Sequence, residues 1–194
     1  MFGIKMFDPW IGKSYPQSHP KILILGESRY DEVYTDRKII KELIGGGRNR
    51  TYTNFVQAVV AKRYWEKGYD APAFWNRVIF YNYNTTFYPG EPRVAPEWKE
   101  RMDTQNQRML RKMLERYKPT HCIVWGIGNW DSIVVDGIDW EPERPIPGLS
   151  DSHVYCSIVV DGNKTLFSFV RHPSAGFSYD RWSAAISAFL ALKS

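Results

Sequence analysis

At 194 residues, with 43% hydrophobic and 24% charged content, the chain has the size and composition of one globular domain (1–194) with a full core. A formal charge of +5 favours an anionic partner, and an aromatic share of 15% supplies rings for packing or base stacking. Two cysteines in separate segments, four histidines without metal-ligand spacing and the lack of a long apolar run argue against zinc, iron–sulfur, disulfide and membrane-spanning classes. The expectation is a cytoplasmic protein with no cofactor and no evident obligatory protein partner.

Residues 1–20 are punctuated by Pro9, Gly12, Pro16 and Pro20 and read as a loop-like arm laid on the domain. Lys21–Leu25 is a short run, continuously apolar after its lysine, the mark of a strand buried on both faces of a parallel sheet. It runs into Gly26-Glu27-Ser28-Arg29-Tyr30-Asp31. A glycine there lets backbone approach a ligand closely, and a carboxylate directly after a buried strand needs a partner or a task. Glu27 therefore reads either as a catalytic acid or as a brace for its own loop.

A helix is predicted over 36–44, stopped by Gly45-Gly46-Gly47, and a second near Thr53–Glu66. Between them Arg48-Asn49-Arg50-Thr51 is a basic loop suited to phosphate contacts or simply to solvent. Trp75–Thr86 reads as an apolar strand breaking into a polar, aromatic end. Asn82 and Asn84 fall where that strand should finish. A carboxamide there can read a base edge with a donor and an acceptor, although one of the two suits a turn equally well.

A Pro/Gly loop over 88–96 leads into a charged amphipathic helix, Glu97–Tyr117, ended by Pro119. His121–Trp125 is the third buried strand. The following Gly126-Ile127-Gly128 lacks the third glycine and distal acid of a dinucleotide site. Residues 139–152 read as a loop, Val154–Val160 as a strand, and Asp161-Gly162-Asn163 as a tight hairpin turn into Leu166–Val170. His172 follows in a Pro-broken loop, at the strand end where an open α/β sheet gathers its ligands. A helix over Trp182–Leu192 closes the chain. Strand–helix alternation with short apolar strands predicts a three-layer α/β/α sandwich with a mostly parallel sheet, presenting Glu27, Asn82 and His172 in one cleft.

Taken together, these strand ends resemble the uracil-DNA glycosylase superfamily over residues 21–190. Ile22-Leu23-Ile24-Leu25-Gly26-Glu27-Ser28 is similar to its first motif, in the branch with a GEAPG-type sequence. Val78 to Pro96, with Asn82, a Pro-Gly loop and Arg93, resembles the same branch. Tyr117–Gly126 is similar to its helix-Pro-strand-Gly segment, and Arg171-His172-Pro173-Ser174 to its HPS motif.

The resemblance implies a glycosylase that flips a base out of DNA and hydrolyses its N-glycosidic bond without a cofactor. Asn82 would read the base, and Tyr30 would close the pocket, with Ser28 and Asn84 beside them. His172 would donate to the base oxygen that gains charge. Glu27, with Asp31 in reserve, would orient water or stabilise the sugar cation. Arg29, Arg48, Arg50 and Ser174 would contact DNA, and Phe177 would fill the vacated stack.

The chain departs from the pattern at instructive places. It lacks the four cysteines of the cluster-binding branch, Arg29 replaces the usual proline, and Val33–Arg37 lacks a Gly-rich run with a stacking Phe. These changes suit a bulky modified pyrimidine, such as the glucosylated hydroxymethylcytosine of phage DNA, better than uracil. Arg29, Tyr30, Tyr83, Asn84 and Trp125 would then bind its sugar or, alternatively, pack as core. Repair of uracil, or a silent nucleic-acid-binding module of the same fold, are the rival expectations.

Overall fold

The computed structural model describes residues 8–28, 35–85 and 103–194. They form an α/β fold in the order β1 (Trp10–Ile11), a 3₁₀ turn (Tyr15–Gln17), β2 (Ile22–Gly26), α1 (Asp36–Ile44), α2 (Arg50–Val60), α3 (Ala71–Trp75) and β3 (Val78–Asn82). The order continues with α4 (Thr104–Tyr117), β4 (His121–Trp125), α5 (Ile127–Trp130), β5 (Arg144–Pro145), β6 (Val154–Val160), β7 (Asn163–Val170) and α6 (Tyr179–Leu190). One seven-stranded mixed sheet runs β1-β3-β2-β4-β7-β6-β5. Its four central strands, β3-β2-β4-β7, are parallel. The flanking strands pair antiparallel.

The wholly apolar strands are explained by a core on each face of the sheet, because successive side chains of a strand point to opposite sides. Ile22, Ile24, Phe80, Ile123 and Trp125 pack with α1, α2, α3 and α6. Leu23, Leu25, Ile79, Cys122, Val124 and Phe167 face the other way, onto Leu110, Met113 and Leu114 of α4. Each fully buried Leu, Ile or Phe contributes about 1.5–3 kcal/mol.

Local chemistry sets the helix ends. Thr35 Oγ1 accepts from Lys38 N at the start of α1, and Asp103 Oδ1 accepts from Gln105 N at the start of α4. Lys118, at φ 46°, ends α4 before Pro119 in a left-handed cap. Asp161 (φ 49°) and Gly162 (φ 75°) form the predicted tight turn between β6 and β7, where both central residues need positive φ.

Several boundaries differ from expectation. The second helix begins at Arg50, capped by Asn49, and stops at Val60 because Ala61 turns left-handed at φ 54°. Part of the arm is structured: Trp10 pairs with Phe80 in β1, and its indole Nε1 donates to Trp75 O at 2.8 Å. The closing helix runs Tyr179–Leu190 rather than Trp182–Leu192. Of the predicted helix 97–117, the described part begins at Thr104. No helix among the described residues is long and apolar enough to cross a membrane.

Candidate functional site

Parallel register brings the candidate residues to one row. Gly26 pairs with Asn82, Leu25 with Val124, and Trp125 with Val170, so β3, β2, β4 and β7 finish nearly level. Asn82 closes β3, Glu27 follows β2, Gly126 follows β4, and His172 stands two residues beyond β7. Three strand spacings of about 4.8 Å separate β3 from β7, a span of roughly 14 Å. The carboxyl edge of a parallel sheet is where an open α/β fold holds its ligands.

Asn82 is 7% exposed and gripped by Asp36, the first residue of α1. Its backbone N–H donates to Asp36 Oδ2 at 3.0 Å and its Nδ2 to Oδ1 at 2.6 Å. A carboxylate only accepts, so the nitrogen must face Asp36 and the carbonyl oxygen is turned away from it. That oxygen lies against Gly26, where an added Cβ would overlap it.

His172 is held through its other ring nitrogen. Ser174 Oγ lies 2.7 Å from Nδ1, and Ser174 N–H donates to Nδ1 at 3.3 Å. Because Nδ1 accepts, the neutral ring carries its proton on Nε2. The ring stands edge-on to Trp125, with centroids 5.9 Å apart and an interplanar angle of 86°. Burial pushes its pKa below the usual imidazole value. The loop is tied to α2 where Asn54 Nδ2 donates to Pro173 O at 3.1 Å.

The other predicted residues occupy different places. The backbone carbonyl of Glu27 accepts from Asn84 N at 3.1 Å and from Asn84 Nδ2 at 2.9 Å. Asn84 Oδ1 accepts from Asn106 Nδ2 at 3.0 Å, so the bonds of Asn84 brace the turn that carries Glu27. Ser28 Oγ is buried without a hydrogen-bond partner. Arg29, Tyr30, Asp31 and the Pro-Gly loop with Arg93 lie outside the described residues.

Ser174 contacts His172 directly, and Phe177 stacks on Trp182 at 6.2 Å and 19°, half-buried against the core. Tyr83 is fully buried with its hydroxyl on Val134 O, and Trp125 is 2% exposed among Tyr52, Phe55 and Phe80. Both are core side chains, the second of the two expectations for them. Arg48, on the α1–α2 connection, and Arg50, the first residue of α2, are exposed and line a cavity described below.

Three participants were not found from the sequence: Asp36, Asn54 and Asn129. Asn129 is fully buried, donates to Gly26 O at 3.3 Å and leaves its Oδ1 without a partner beneath the row. Among the described residues no group of three or more His, Cys, Asp or Glu is placed to hold a metal, and Cys122 and Cys156 are free thiols. No protein-family model matches the chain, and no curated protein sequence matches it significantly.

Proposed function

We propose that this chain is a monofunctional DNA glycosylase of the three-layer uracil-DNA glycosylase type, which flips out a non-standard base and hydrolyses its N-glycosidic bond. The observation that carries the reading is His172: a neutral imidazole at the end of a central parallel strand, with Nδ1 occupied by Ser174 and the proton on Nε2. Such a ring is a fixed N–H donor. Breaking the glycosidic bond sends its electron pair into the base, which leaves as an anion. A preorganised donor at the oxygen where that charge collects is worth about 10²–10³ in rate.

Water supplies the new bond. Its oxygen adds to the sugar C1′ as the base nitrogen departs, one of its protons passes to solvent to leave the C1′ hydroxyl, and the base anion takes a proton from solvent in turn. In this reading Glu27, which follows the central strand β2, orients that water or stabilises the cationic sugar, and Asn84 and Asn106 brace its turn. Among the described residues no lysine closes one of these strands, and in this reading the product is an abasic site without strand cleavage.

The favoured substrate is a bulky modified cytosine, such as glucosylated hydroxymethylcytosine in phage DNA, which makes the role anti-phage defence. The Asp36–Asn82 pair commits one amide N–H of Asn82 and leaves its second N–H and its carbonyl oxygen, a donor and an acceptor that a cytosine or a uracil edge can each meet. The choice of a bulky cytosine rests on the departures at Arg29 and Val33–Arg37 from the uracil pattern, and uracil is the second reading.

The test is abasic-site formation on uracil-containing DNA, unmodified DNA and phage DNA bearing glucosylated hydroxymethylcytosine. Release from the phage DNA alone is expected. Release from uracil DNA alone makes the protein a repair enzyme. Silence on all three from protein that binds DNA makes it a binding module and overturns the proposal.

A further inference from the structure

A cavity of about 650 Å³ lies between the α1–α2 connection, α2 and the segment leading into α3, and Glu27, Asn82 and His172 are not among the residues that line it. Its volume is in the range of small-ligand sites. Arg48 and Arg50 line it, and neither has an ion pair among the described residues, whereas six other salt bridges are formed there. The one acidic side chain on its wall, Asp70, is engaged through Oδ1 in capping α3. Two guanidinium groups against this one carboxylate leave the wall net positive and make the cavity anion-seeking.

The opposite character comes from rings. Tyr64 and Tyr69 line the same cavity, and Arg48 lies over the Tyr64 ring at 5.4 Å. Tyr64 is 46% exposed and meets the edge of Trp65, itself 67% exposed, at 4.7 Å. These are two of the four large hydrophobic side chains left exposed among the described residues. Exposed rings beside unpaired arginines form the combination that holds a base by its face and a phosphate by its charge. Asn54 also lines the cavity while holding Pro173 of the His172 loop, so α2 forms a wall shared by both sites.

We propose that the cavity lined by Arg48, Arg50, Tyr64 and Tyr69 is a nucleotide-binding site, separate from the His172 site, that takes one phosphate and one base. Neither its lining nor its chemistry depends on the glycosylase reading. The nucleotide comes either from solution or from a DNA strand.

Calorimetric titration of the full chain with thymidine 5′-monophosphate, thymidine, inorganic phosphate and an unmodified thymidine octanucleotide tests the site. The monophosphate is expected to bind more tightly than thymidine or phosphate. Arg48→Ala and Arg50→Ala should each weaken it about tenfold or more, and Tyr64→Ala about fivefold or more. His172→Ala should leave this binding unchanged, which separates failure here from failure of the glycosylase proposal. Equal affinity for monophosphate and octanucleotide assigns the site to free nucleotide; a tighter octanucleotide with the same arginine dependence assigns it to a strand. Monophosphate binding no tighter than phosphate, insensitivity to both arginine substitutions, or binding of the octanucleotide alone overturns the proposal. Circular dichroism confirms that each variant is folded.

Discussion

Asp36 holds Asn82 twice, through the backbone N–H at 3.0 Å and through the side-chain Nδ2 at 2.6 Å, both inside the protein. This one carboxylate joins the start of α1 to the end of β3 and fixes the amide with its nitrogen on Asp36 and its oxygen against Gly26. Asp36→Ala leaves two buried donors of Asn82 without that acceptor, at about 1–3 kcal/mol for each unsatisfied group. Urea denaturation should show the loss, and base release should fall further than stability predicts. Asp36→Asn retains the volume and one accepting oxygen but sets an N–H against an N–H at the other contact, so it should recover only part of the loss.

Gly26 tests the same contact from the other side. A Cβ there would overlap Asn82 Oδ1. Gly26→Ala should push the amide off Asp36 and destabilise the fold by about 1–3 kcal/mol, the usual cost of overpacking. Thermal unfolding measures this, and wild-type stability in the variant would contradict the placement of the Asn82 oxygen.

Ser174 is predicted to position rather than to touch DNA. Ser174→Ala removes the hydroxyl at Nδ1 and leaves only the longer backbone N–H bond to orient the ring. The single-turnover rate should fall about three- to tenfold, the worth of one hydrogen bond, with DNA affinity unchanged. Ser174→Thr, which restores the hydroxyl, should recover the rate. A loss of affinity alone would return Ser174 to the DNA contacts.

The pH dependence follows from burial. Desolvation lowers the pKa of His172, and it is also the largest influence lowering those of His121 and His153. The unfolded chain takes up these protons near pH 6.5, the folded chain only at lower pH. The unfolded state therefore binds more protons as pH falls. Stability is full above about 6.5 and is lost as pH drops through the depressed folded values. Denaturation midpoints should fall on the acid side, less steeply in His172→Gln. Because the neutral ring still carries its Nε2 proton, the rate should show no loss attributable to His172 between about pH 6.5 and 8.5. A tenfold drop per pH unit over that range would instead mean that the charged ring is the donor.

Much of this architecture is legible in the chain. The runs Ile22–Leu25, Val78–Tyr81 and His121–Trp125 read as buried parallel strands because they are apolar without alternation, and each is one. The ends of the first two, with the end of Leu166–Val170, locate Glu27, Asn82 and His172 on one edge. Ala71–Trp75 escaped because a five-residue helix with Pro72 in its first turn has no period to detect. The Asp36 contact escaped for a different reason. A carboxylate 46 positions from its partner, at a helix start where acids are common, carries no pattern linking it to Asn82. Tyr83 and Trp125 resemble pocket rings in sequence, and only packing across the sheet distinguishes a buried ring from an available one.

The central claim is that His172 stabilises the departing base. It is tested by single-turnover base release from the DNA that loses its base fastest to the wild-type protein, compared with His172→Gln of matched stability. The account predicts a rate lower by about 10²–10³ with DNA affinity retained. An unchanged rate, or loss of affinity without loss of rate, would contradict it.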